Sequence, residues 1–147
     1  MNGGNHRQTG NKMLKIETEK VEINGNIQKC FDFLCDLNNY YVLFPEDKIS
    51  NWESDKDSCS VKLLNVYKLV VVKDEFSPYV INLKSDVTSP FEFTLKVVLT
   101  EINPDKFTAT INCNANVNSI LKMMVKKPLI DLFDYMAKRI EVAIETV

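Results

Sequence analysis

Two neighbouring stretches decide the fold: Phe91-Glu92-Phe93-Thr94-Leu95-Lys96-Val97-Val98-Leu99 and Phe107-Thr108-Ala109-Thr110-Ile111-Asn112-Cys113-Asn114-Ala115-Asn116. In both, apolar and polar residues alternate. A strand sends successive side chains to opposite faces, so this pattern makes a sheet that is dry on one side and wet on the other. Asn103-Pro104-Asp105-Lys106 between them is a turn, which makes the two strands an antiparallel pair. A sheet with one dry face needs a cover.

The cover is found at the end of the chain. Leu129, Leu132, Phe133, Met136, Ile140, Ala143 and Ile144 recur at intervals of three and four, the spacing of one helix face. Asp131, Asp134, Lys138, Arg139, Glu141 and Glu145 mark the opposite face. Pro128 lacks a donor and suits the first turn of this helix. Ser119 to Val125 reads as a preceding helical segment, with a break at Lys127-Pro128.

Working back from the pair, Tyr79, Ile81, Leu83 and Ser85 alternate with Val80, Asn82 and Lys84. Tyr67 to Lys73 is a further strand, bounded by a turn at Phe76-Ser77-Pro78. Val70 and Val72 make it apolar on both faces, which marks it as a possible pairing edge. Cys59, Val61 and Leu63 alternate with Ser60 and Lys62, and Ile49 to Glu53 is one more strand. Near the start, residues 14–23 read as a single long strand whose phase shifts before Val21, as at a bulge. Asn24-Gly25-Asn26 is a turn, and Asn26 is placed to cap a helix over 27–36. Tyr40 to Phe44 is a short apolar segment ended by Pro45.

The chain has 147 residues, 45% hydrophobic and 26% charged, with a net charge of −2. That is the composition of one globular domain, with about two thirds of the unfolded surface available for burial. We expect a disordered tail over 1–12 and a single domain over 13–147. The charge balance excludes a general nucleic-acid binder, which needs clustered positive charge. No apolar run approaches the roughly 18 residues of a membrane span, so stable membrane insertion is not expected. The polar N-terminus lacks a secretory signal pattern, and a cytoplasmic location is expected.

Catalytic and metal motifs are sparse. Cys30, Cys35, Cys59 and Cys113 lack ligand spacing and fall among apolar residues, so they are expected reduced and buried, with no metal. The one histidine, His6, lies in the polar N-terminal stretch, far from any nucleophile pattern. The four glycines cannot form a phosphate-cradling loop. Thr18 and Ser85 are polar residues on inward phases, each able to orient a ligand or to bond nearby backbone.

The order strand, helix, short helix, six strands and long C-terminal helix resembles the Bet v 1-like or START-like helix-grip domains of the SRPBCC superfamily. Ser89-Pro90-Phe91-Glu92-Phe93-Thr94-Leu95 and Lys122-Met123-Met124-Val125-Lys126-Lys127-Pro128-Leu129 look like bacterial polyketide-cyclase/dehydrase-like sequences of unassigned activity. The resemblance covers residues 14–147 and implies an α+β fold in which a seven-stranded curved antiparallel sheet wraps the C-terminal helix. It also implies a cavity between sheet and helix.

The strand residues expected around that cavity are Val61, Leu63, Ile81, Leu83, Ser85, Phe93, Leu95, Val97, Ile111 and Cys113. From the C-terminal helix the expected lining is Met123, Met124, Leu132, Phe133, Met136 and Ile140. Tyr40, Tyr41 and Phe44 are expected at the entrance. Each of these apolar residues also suits plain core packing.

Three functions follow. The first is a non-catalytic carrier of a small apolar or amphipathic, lipid-like ligand. The second is a protein-interaction module, including a homodimer. The third is a polyketide-cyclase-like enzyme, disfavoured by the lack of an inward histidine or carboxylate. No cofactor is implied.

Overall fold

The structure, a computed structural model, describes residues 11–145. Eight strands form one antiparallel sheet: β1 (Asn11–Glu17), β2 (Val21–Asn24), β3 (Ile49–Asp55), β4 (Ser58–Leu63), β5 (Tyr67–Ser77), β6 (Val80–Ser85), β7 (Glu92–Asn103) and β8 (Lys106–Asn118). Their order is β1-β8-β7-β6-β5-β4-β3, and β2 also pairs with β8. Helix α1 (Ile27–Leu34) and two 3-10 helices, Leu37–Leu43 and Glu46–Lys48, follow β2. Helix α2 (Ser119–Glu145) ends the described chain. This is the curved sheet and long helix of a helix-grip fold.

The quoted pair sets the frame. Phe93 faces Ala115, Leu95 faces Cys113 and Val97 faces Ile111 across β7 and β8, and all six are buried. Against this dry face lie Val125, Leu129, Leu132, Phe133, Met136, Ile140 and Ile144 of α2, also buried. At the other end of the helix, Asn24 N–H donates to Glu141 Oε2 at 2.8 Å, tying α2 to β2. Between them, Gly25 has φ of 153°, and a Cβ there would lie 3.4 Å from Ile144 Cδ1. The turn therefore favours glycine.

Several expectations are corrected. The first strand is two strands, because Thr18 turns inward at the phase shift. Its N–H donates to Ile111 O at 3.0 Å, and its Oγ1 accepts from Ile111 N at 2.9 Å. That double bond to one residue ends regular pairing before β2 resumes it, and the sheet has eight strands rather than seven. Helix α1 stops at Leu34, with Asn26 Oδ1 accepting from Lys29 N at 2.9 Å as its N-terminal cap.

The break expected at Lys127-Pro128 is absent, and α2 runs through Pro128. A proline inside a helix leaves the carbonyl four residues earlier without its partner. That residue is Met124, which is exposed, while buried Val125 and Leu129 hold the helix on either side. The strand with Val70 and Val72 is not an edge: β5 lies between β4 and β6. The tail expected over 1–12 lies outside the described residues as far as residue 10. Asn11 and Lys12 already pair with Asn118 and Val117.

Thr18 is the only buried polar residue among the described residues. Thr18→Val removes the acceptor for the buried Ile111 N–H, so we expect a loss of about 1–3 kcal/mol in urea unfolding. Thr18→Ser keeps the hydroxyl and is expected to lose less.

Candidate functional site

Beneath the sheet, the side chains of β4 to β8 meet α2 and the 3-10 helix Leu37–Leu43 around a small cleft. Leu83, Phe93, Leu95 and Cys113 line it from the sheet, and Leu132, Phe133 and Met136 line it from α2. The cleft is nearly closed. Its free volume is ≈ 20 Å³, room for about one water. The Phe91 and Phe93 rings, 5.7 Å apart, fill much of the space.

A second, open pocket of ≈ 420 Å³ lies outside it, between the Pro45–Lys48 segment, the β4–β5 turn and α2. Pro45, Leu63, Leu64, Pro128 and Leu132 form its apolar wall, and Lys48, Lys127, Asp131 and Tyr135 its polar rim. Leu132 lines both spaces, so its side chain sits at the boundary between the open pocket and the cleft. At the rim, Leu64 and Asn65 have φ of 55° and 58°, a left-handed conformation costing roughly 1–2 kcal/mol per non-glycine residue. The turn is held by Val66 N–H donating to Leu63 O at 3.1 Å and Leu64 N–H donating to Lys48 O at 2.8 Å.

The expected lining residues divide into groups. Leu83, Phe93, Leu95, Cys113, Leu132, Phe133 and Met136 come together at the cleft. Leu63 lines the outer pocket instead. Val61, Ile81, Val97, Ile111 and Ile140 are buried in the core without reaching the cleft. Ser85 Oγ accepts from Phe93 N at 3.0 Å, so its hydroxyl serves the backbone. Met123 and Met124 are exposed on the first turns of α2, away from buried Val125.

Of the expected entrance residues, Tyr40 and Phe44 are buried and line the cleft. Tyr41 is exposed, with its ring 5.5 Å from Trp52. Trp52 also packs 5.4 Å from Phe44, a cluster on edge strand β3. Cys59, Leu69, Val71, Phe91 and Leu129 complete the cleft. Each occupies an inward phase of its strand or helix, which was the available signal. Height along the element, which decides what reaches the void, has no counterpart in the alternation.

The cleft is chemically quiet. Tyr40 OH points away and donates to Leu34 O at 2.9 Å, and burial holds its phenol well above the usual value. Burial pushes the Cys59 and Cys113 thiols up to about 12, and Cys30 likewise. Neutral thiols and hydrocarbon therefore form the lining. Among the described residues, no group of three His, Cys, Asp or Glu side chains is arranged to hold a metal ion.

All four cysteines are free, and only Cys35 is partly exposed. A thiol with pKa about 12 is thiolate at a level on the order of 1 in 10,000 at pH 8. In native protein at that pH we expect iodoacetamide to label Cys35 first, and Cys30, Cys59 and Cys113 only on unfolding, as read by peptide mass spectrometry. These raised values also favour the folded state while the thiols are neutral. That contribution is lost as pH rises above about 9, where unfolded thiols ionise first, so the melting temperature should fall from there toward pH 12.

No protein-family model and no curated protein sequence matches the chain. Solved structures do. A norcoclaurine synthase point mutant from Thalictrum flavum, in complex with a transition-state analogue, superposes with a TM-score of 0.71 at 9% identity, covering 92% of this chain and 96% of that one. A START superfamily protein from Mycobacterium smegmatis gives 0.65 at 11%, covering 91% and 97%. An aromatase/cyclase from Streptomyces gives 0.59 at 14%, covering 87% and 94%. At these identities the likeness concerns architecture, and the chain has the helix-grip fold of the Bet v 1-like and START-type SRPBCC proteins.

Proposed function

We propose that the chain is a binding domain for a small apolar or amphipathic ligand, seated in the open pocket with its apolar end against Leu132. The observation that carries this reading is the position of Leu132, one side chain between an open ≈ 420 Å³ pocket and an apolar cleft. The pocket volume falls in the usual range for small-molecule sites. Leu63, Leu64 and Pro128 offer apolar contact, and Lys48 at the rim suits an acidic head group.

Displacing Leu132 outward joins the two spaces, which lets a longer apolar tail enter the cleft. The cleft lining supports recognition by shape and dispersion rather than by proton transfer. Flexible Met136 supplies a side chain that repacks readily around different tails. In this reading the ligand's polar end stays at the surface, and the interior receives only hydrocarbon.

Titration with the fluorescent amphipathic anion 1-anilinonaphthalene-8-sulfonate tests this. Leu64→Asp puts a carboxylate on the apolar wall at an exposed position, and we expect its dissociation constant to rise at least about tenfold, more than 1.4 kcal/mol, with the melting temperature unchanged. Leu132→Ala is expected to destabilise by about 2–5 kcal/mol while raising affinity for decanoate. Wild-type protein that binds neither probe, or binding that ignores Leu64→Asp, overturns the proposal.

A further inference from the structure

Five large apolar side chains stand out from the described surface: Val87 is 96% exposed, Met123 84%, Ile120 73%, Val66 65% and Met124 55%. They are the five most exposed of their kind among the described residues, and the topology brings them to one end of the molecule. The β6–β7 loop carrying Val87 leads into β7, where Glu92 pairs with Asn116 near the end of β8. Two residues after Asn116, Asn118 Oδ1 accepts from Leu121 N at 2.8 Å and starts α2, which carries Ile120, Met123 and Met124. The same loop is bound to β5: Ser89 Oγ bonds both Val70 N and Val70 O at 3.1 Å. Val66 is in the turn that begins β5.

These side chains come from three elements, and Ile120, Met123 and Met124, at i, i+3 and i+4, share one face of the first turns of α2. An exposed apolar helix face beside lysines is the pattern of an element that lies in a membrane interface. The charge around them points the same way. The first turns of α2 carry Lys122, Lys126 and Lys127, with no acidic residue before Asp131. Lys127 is paired with Asp131 at 3.0 Å, and no described ion pair engages Lys122 or Lys126. The positive end of the α2 dipole lies beside them. Glu46, Asp47, Asp86 and Glu92 also belong to this end, so the attraction for anions is local to α2.

We propose that this end docks peripherally on a bilayer containing anionic lipid. Val66, Val87, Ile120, Met123 and Met124 enter the head-group boundary, and Lys122 and Lys126 meet lipid phosphates. No described helix is long and apolar enough to cross a membrane, and docking of this kind needs none. Polybasic segments near an anionic surface add electrostatic attraction that salt weakens. The open pocket lies at this same end, between the β4–β5 turn and α2. If the ligand reading above holds, a ligand drawn from the bilayer reaches the pocket without crossing bulk water.

Sedimentation with vesicles tests the docking separately from ligand binding. The full chain is mixed with vesicles of phosphatidylcholine alone, or of phosphatidylcholine with phosphatidylglycerol, at low and high salt. We expect binding to the mixed vesicles, weaker on pure phosphatidylcholine and weaker at high salt. The double variant M123D/M124D should lower the bound fraction about tenfold, with circular dichroism and melting temperature unchanged because both positions are exposed. K122E/K126E should abolish the preference for phosphatidylglycerol.

Failure of the wild-type chain to bind mixed vesicles overturns the proposal, as does binding that both double variants retain. A dimer seen by light scattering that M123D/M124D dissociates, without vesicle binding, also overturns it and makes this end an interface between copies. Loss of vesicle binding with retained 1-anilinonaphthalene-8-sulfonate binding separates this proposal from the ligand reading, and the reverse result does so too.

Discussion

The structure depends on one covering contact: α2, with the 3-10 helix Leu37–Leu43 beside it, closes the dry face of the sheet. Ala109, Ile111, Cys113 and Ala115 on β8, flanked by Leu95 and Val97 on β7, are buried on that face. Leu129, Leu132, Phe133 and Met136 are buried against it from α2. Burial of such area is the main favourable contribution to folding, and here it comes from β7, β8 and α2, which follow one another in the chain. Every other element adapts to that contact. Thr18 interrupts the first strand before β2 pairs with the start of β8, and Gly25 lets the following turn pass close to Ile144.

The same contact sets what the interior can hold. The rings of Phe91, of Phe93 on β7 and of Phe133 on α2, with Tyr40 and Phe44, occupy the space beneath the sheet, leaving ≈ 20 Å³ free. Dense packing of this kind resists small changes in volume. The larger of the two spaces lies outside, between the Pro45–Lys48 segment, α2 and the left-handed turn that carries Leu64. The core and the open pocket thus use different parts of α2. Phe133, Met136 and Ile140 hold the core, while Pro128, Asp131 and Tyr135 face the open pocket, with Leu132 between them.

Periodicity made the frame legible because each element has its own repeat. The alternation from Phe91 to Asn116 and the three-and-four spacing from Leu129 to Ile144 specified both partners of the central contact, and Asn26 marked the start of α1 by its capping chemistry. The inward residues of the cleft could be read as inward, but not sorted by height. Val61 and Cys59 share a face of β4, yet only Cys59 reaches the void. Continuity of α2 through Pro128 was hidden because a proline break is a local rule, whereas the packing of Val125 and Leu129 that overrides it is tertiary. The edge assigned to Val70 and Val72 failed for a similar reason: side chains report what lies over a strand's faces, whereas an edge is decided by in-plane pairing, and β5 pairs with both β4 and β6.

The polar residues on inward phases define the chemistry this interior offers. Helix-grip architecture is shared by a synthase and an aromatase/cyclase as well as by a START superfamily protein, so the fold leaves the choice to individual side chains. Here three hydroxyls turn inward or lie buried, and each already serves the backbone. Thr18 accepts from Ile111, Ser85 accepts from Phe93, and Tyr40 donates to the carbonyl of Leu34. Releasing one of them to a substrate leaves a backbone group unpaired, at a cost of about 1–3 kcal/mol where that group is buried. A carbon-lined cleft makes no such demand on an apolar tail. In the proposed function, entry of such a tail rests on whether Leu132 moves aside, which is a matter of packing rather than of proton affinity.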